Sequence, residues 1–165
     1  MNVIGVGRFE DYDFFAETWA TRRAAGDPAY LPAYEGEEPI AGSTRRIFIA
    51  DTDERAREVA ERAWVRYQEN FTATSLRLDG GPGPAGRTPD GEGSPAARGG
   101  VVFGSPATVR DTLTEYLERL GPNHTYFAPA FQWGDLSHSE ARRSMELFAA
   151  DVMPALIAQE AGAPA

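Results

Sequence analysis

No cysteine occurs anywhere in the sequence. That single absence excludes disulfides, thiolate metal sites, iron–sulfur clusters and cysteine nucleophiles, and it fits a reducing cytosol. Positive charge is also scarce: 16 Lys and Arg stand against 25 Asp and Glu, a formal net charge of −9. The basic residues are dispersed, which opposes phosphate-backbone binding, so nucleic acid is not an expected partner. No apolar run approaches the roughly 20 residues that span a bilayer. The N-terminus lacks the basic start, apolar core and small-residue cleavage site of a signal peptide. The expectation is a cytoplasmic protein with no membrane partner.

What is present supports a folded domain. The 165 residues are 42% hydrophobic and 11% aromatic, enough for one domain with a real core. The 17 glycines and 12 prolines announce at least one long irregular stretch. Residues 79–100 hold eight of those glycines and four of the prolines in 22 positions, a composition that cannot repay the entropy of ordering by apolar burial. A mobile loop is predicted there.

The rest reads as strands alternating with helices. Tyr12, Phe15, Trp19 and Arg23 share one side of a predicted helix over 11–25, stopped by Gly26 and Pro28. Residues 29–43 lack a sustained period and read as a packed loop. An unbroken apolar run, Ile47, Phe48 and Ile49, marks a strand over 45–50 that is covered on both faces. Asp51 and Glu54 then match the spacing of a capping box. Behind them Ala56, Val59, Ala60, Ala63, Trp64, Tyr67 and Phe71 keep the three-and-four steps of a helix.

Two more units follow. Val101 to Phe103 form a second strand, Gly104-Ser105-Pro106 supplies a turn, a cap and a first-turn proline, and the helix runs through Val109, Leu113, Tyr116, Leu117 and Leu120 to Gly121 and Pro122. Residues 125–131 form the third strand, with Pro129 hinting at an end, an edge or a bulge. Ser137 and Glu140 repeat the capping-box pattern before a final helix with Ala141, Ser144, Met145, Phe148 and Val152 inward, ending near Pro154. The tail over 158–165 is expected to fray.

Strands joined by helices of this length pair in parallel through crossovers, which makes this an α/β chain. A (β/α)8 barrel of the TIM type needs about 250 residues, so three units are an incomplete barrel or an open sheet.

The strings RRIFIADTDERAREVA, GGVVFGSPATVRDTL, NHTYFAPAFQWGDL and ARRSMELFAADVMPAL, in that order, resemble the C-terminal portion of luciferase-like flavin-dependent monooxygenases. The resemblance covers roughly 43–157, and the aromatic segment before it is also similar. It implies a barrel with parallel strands and crossover helices, of which this chain holds the C-terminal part. It further implies reduced flavin, FMN or a deazaflavin, and oxidation of a small organic substrate. By the same resemblance the flavin contacts come largely from earlier strands, so another polypeptide or a missing N-terminal half would supply them, and a homo-oligomer is a further possible partner. The competing expectation is a non-catalytic remnant or a self-associating interaction module, because an uncovered sheet edge invites pairing.

In such barrels chemistry gathers at the C-terminal ends of the strands, which selects Asp51, Gly104, Ser105, Gln132, Trp133 and Asp135. Gly104 and Ser105 precede a helix N-terminus that could hold a phosphate or carboxylate, or they form an ordinary cap. Gln132 and Trp133 could line a flavin or substrate pocket, or pack under the last helix. Asp51 and Asp135 adjoin predicted caps. Of the two histidines, His124 starts a strand on the face associated with stability, and His138 is the weak candidate for a general base, with an exposed first-turn role as its plain alternative. No metal cluster, nucleophile triad or phosphate-cradling glycine loop assembles from the remaining residues.

Overall fold

The computed structural model describes residues 2–3, 9–27, 40–79, 101–120 and 124–162. Along the chain run β1 (Asn2–Val3), α1 (Phe9–Ala24), β2 (Ile40–Ile49), α2 (Asp53–Asp79), β3 (Val101–Gly104), α3 (Pro106–Leu120), β4 (His124–Ala130), α4 (His138–Leu147), a π-helical turn (Phe148–Val152) and α5 (Met153–Gly162). All the strand pairings are parallel. The α/β class with crossover helices is therefore what the alternating pattern expects. The bulk of the loops read at 29–43 and 79–100, the stop at Gly121 and the side chains of Tyr12, Phe15 and Phe71 lie outside the described residues.

β2 is the centre of the sheet. Arg46 pairs with Val101 of β3 and also with Ala130 of β4, and Ala41 pairs with Val3 of β1 and with His124 of β4. One residue cannot serve two parallel partners on one edge, so β4 lies along one side of β2 while β1 and β3 share the other. The spatial order is β3–β2–β4, whereas consecutive barrel units would put β3 in the middle. The step from β2 to β3 and the return from β3 past β2 to β4 run in opposite directions. Right-handed crossovers then place α2 and α3 on opposite faces.

The two cores confirm this. Phe48 and Val101 on one face meet Ala56, Val59, Ala60, Ala63 and Trp64 of α2, with Trp133 and Leu136. On the other face Ile47, Ile49 and Val102 meet Val109 and Leu113 of α3 and Leu147, Phe148, Val152 and Leu156 beyond them. The alternation of Ile47, Phe48 and Ile49 between faces is the period of two, and all three are buried, as expected of a central strand.

Several expectations are corrected. β2 begins at Ile40, so residues 40–43 are strand rather than loop. Their side chains, Ile-Ala-Gly-Ser, carry little strand signal, and pairing with β1 and β4 supplies the order. α2 is capped by Thr52, whose Oγ1 accepts the Arg55 N–H at 3.2 Å, instead of by an Asp51–Glu54 box. The last helix does not end near Pro154 but continues as α5 to Gly162, so 158–162 are helical. In the π turn just before it the Met153 N–H donates to the Phe148 carbonyl five residues back. That widened turn makes room for a ring that would clash in an ordinary helix. Met145 is exposed at 51% instead of inward. The Ser137–Glu140 capping box forms as read, with both reciprocal bonds present.

Among the described residues no helix is long and apolar enough to cross a membrane.

Candidate functional site

At the carboxyl end of the sheet β2, β3 and β4 each give way to a helix start, where unpaired N–H groups gather. The three junctions are closed differently. After β3 the Ser105 N–H donates to Asp53 Oδ1 at 2.6 Å, and the Thr108 hydroxyl donates to Asp53 Oδ2 at 3.0 Å. Thus a carboxylate from the first turn of α2 already sits on the N-terminus of α3. The Ser105 N–H, followed by the Thr108 and Ser105 hydroxyls, holds the Asp53 carboxyl below its ordinary value. Gly104 makes the approach possible. At φ 156°, a Cβ there would stand 2.8 Å from Thr108 Cγ2 and 2.9 Å from Asp53 Oδ1.

After β4 the chain takes a longer path. Trp133 is buried against α2 and donates through Nε1 to the Ile47 carbonyl at 3.3 Å. Gly134 at φ 61° lies so close to α2 that a Cβ would come within 2.0 Å of the Ala63 carbonyl oxygen. Gln132 is exposed, and its amide donates to the Leu136 carbonyl at 2.6 Å. Beyond the reach of β4, the β2 edge is finished by side chains: Trp133 serves Ile47, and the buried Ser144 hydroxyl accepts the Ile49 N–H at 2.9 Å.

Arg62 of α2 joins this connection from outside, reaching Asp135 at 3.2 Å and Glu140 at 2.9 Å. Partial burial works against the Glu140 charge, but the Ser137 N–H and hydroxyl and the Arg62 guanidinium outweigh it and hold the carboxyl below its usual range. His138 is the exposed first residue of α4 and Asp51 is exposed at the end of β2. His124 opens β4 at the opposite end of the sheet, in register with Ala41.

Two depressions flank α2 at this end. The larger, about 510 Å³, is lined by Asp53, Glu54, Arg57, Glu58, Glu61, Phe103, Gly104 and Thr108, with the Arg57 guanidinium 5.3 Å above the Phe103 ring. The smaller, about 260 Å³, opens between the start of α2 and α4. Its floor is Phe48, Ile49, Ala50 and Val59, and its rim is Asp51, Arg55, Ser139, Glu140 and Arg143. Arg143 bridges the opening to Asp51 at 3.0 Å.

The structure thus brings Gly104 to one depression and Asp51 to the other, while Trp133 is core and Gln132 and His138 face neither. Reasoning from the sequence passes over Asp53, Arg55 and Arg143. One signal was available: all 16 basic residues are arginine, so this chain has no lysine amine for Schiff-base chemistry and its permanent side-chain cations are all guanidinium groups. Among the described residues no group of three metal-ligating side chains assembles.

No family profile and no curated protein sequence matches the chain. Solved structures do. The monooxygenase RslO1 from Streptomyces bottropensis matches with a TM-score of 0.59 at 19% identity, over 93% of this chain and 40% of that one. The oxygenating constituent of 3,6-diketocamphane monooxygenase from Pseudomonas putida, a type II Baeyer-Villiger enzyme in complex with FMN, matches with a TM-score of 0.57 at 18% identity, over 93% of this chain and 42% of that one. Both neighbours are monooxygenases, and the fold shared with them spans about two fifths of their length.

The described residues do not by themselves fit FMN. Four carboxylates against Arg57 in the larger depression oppose a phosphate, and the Ser105 N–H that would receive one is taken by Asp53. Trp133, buried in the core, offers no open stacking face, and the smaller crevice lies below the roughly 300 Å³ at which pockets for drug-sized ligands begin.

Proposed function

We propose that this chain is the C-terminal part of a luciferase-like, flavin-dependent monooxygenase that acts on a small organic substrate, the flavin being held mainly by strand–helix units other than these. The observation that carries the reading is the match of 93% of the chain to two fifths of an FMN-bound monooxygenase. The misfit of the described residues to FMN supports the second half of it, because a part of such an enzyme lacking the phosphate and ring contacts would show the same misfit. In such an enzyme the flavin supplies the oxygen chemistry. The share of this chain is structural: Asp53 locks the starts of α2 and α3 together, and Trp133 and Gly134 pin the connection after β4 to α2.

The reading is tested by tagging the chain in its native cell and purifying it under mild conditions. An assembly that carries bound flavin, visible in its absorption spectrum, is expected. An assembly free of flavin that gains none on incubation with FMN contradicts it.

A second reading, a self-associating interaction module, draws on a different observation. Met145, Met153 and Ile157 stand exposed at 51%, 43% and 56% along α4 and α5. Such a chain would sediment as an oligomer and lose that state when these three residues are made polar.

A further inference from the structure

We propose that the crevice between α2 and α4 is a binding site for a small organic anion, a carboxylate or phosphate head on a short apolar body, with Arg143 exchanging Asp51 for the head group. The site rests on the geometry of the sheet and is independent of the flavin reading.

Position is the first argument. β2 and β4 are neighbours from whose ends the chain departs to opposite faces, α2 over one and α4 with its successors over the other. In open α/β sheets that divergence leaves a crevice beyond the carboxyl ends of the strands, and ligands bind there. The cavity of about 260 Å³ lies at that point.

Its lining sets the ligand class. The floor of Phe48, Ile49 and Val59 is buried and apolar and asks for a hydrocarbon body. The volume limits that body to a handful of atoms. On the rim Arg143 is held by Asp51 alone among the bonds observed, and both side chains are largely exposed, at 58% and 78%. An exposed pair of this kind contributes little, so a ligand carboxylate displaces Asp51 at small cost and gains the planar, two-pronged contact that guanidinium offers. Glu140, the other rim carboxylate, does not compete. Its oxygens are engaged by the Ser137 N–H at 2.8 Å and by Arg62 at 2.9 Å.

The test is an NMR titration of the ¹⁵N-labelled 165-residue chain with hexanoate, inorganic phosphate and hexylammonium. Hexanoate is expected to shift the amides of Ala50, Asp51 and Ser139 saturably. Arg143→Gln is expected to weaken it roughly tenfold or more, and Asp51→Asn, which removes the competing carboxylate, to tighten it. Phosphate acting on the same amides more strongly than hexanoate would support the site and identify the head group. The proposal is overturned by the absence of saturable shifts with either anion, by equal binding of hexylammonium, or by an Asp51→Asn variant that binds no tighter. If Arg143→Gln loses its dispersed spectrum, the Asp51→Asn result alone decides.

Discussion

β3 reaches α3 through a single residue, Ser105, whereas β4 reaches α4 through the seven residues 131–137. The short junction brings its helix start against α2, and the first-turn Asp53 closes the gap with two hydrogen bonds. The long one must be anchored along its path, by Trp133 under the core and by Gly134 against Ala63, and the helix it launches meets α2 through the Arg62–Glu140 pair. What remains between them is a crevice, its opening bridged by the exposed Asp51–Arg143 pair. On one side of α2 the N–H at the helix start is thus taken by a carboxylate, whereas on the other the crevice proposed as a binding site lies beside the helix start.

Substitutions can break that contrast. Gly134→Ala should have the largest effect, about 3–5 kcal/mol of stability read from urea midpoints, because the new Cβ collides with backbone and the whole connection must lift off α2. Gly104→Ala should cost less, about 2–3 kcal/mol, since its neighbours are the ends of the Thr108 and Asp53 side chains, which can give way. Ser144→Ala leaves the buried Ile49 N–H without its acceptor and should cost about 1–3 kcal/mol.

Asp53→Asn sharpens the contrast through pH. The folded carboxyl is held below its unfolded value of about 3.9. Its contribution is therefore present above that value and lost as the pH falls through the lower folded one. Urea midpoints followed from neutral pH into acid should fall less steeply for the Asn variant than for the parent. Smallest of all, Arg143→Gln should change stability by no more than about 0.5 kcal/mol. A large loss there would move the crevice from binding to structure.

Much of this was legible in the sequence. The stripe from Ala56 to Trp64, the Ser137–Glu140 box and the apolar run at 47–49 are local patterns, and local physics realised them. The failures are tertiary. Ile40 to Ser43 become strand because two partners pair with them. Pro154 sits inside a helix because a π turn precedes it. The order β3–β2–β4 has no local signature. Asp53 reads as a first-turn acid of α2, and nothing in its neighbours reveals that its acceptors face Ser105, 52 positions away. Place at a strand end selects Trp133 as a site residue, but burial against α2 gives it to the core instead of to a pocket.

Whether this chain carries a share of a flavin monooxygenase fold without the flavin site itself is decided by thermal unfolding of the purified 165-residue chain with and without excess FMN. A ligand bound only by the folded state must raise the midpoint. A cooperative transition at the same temperature in both samples is expected. A midpoint raised by FMN would contradict it, showing a flavin site complete within this chain.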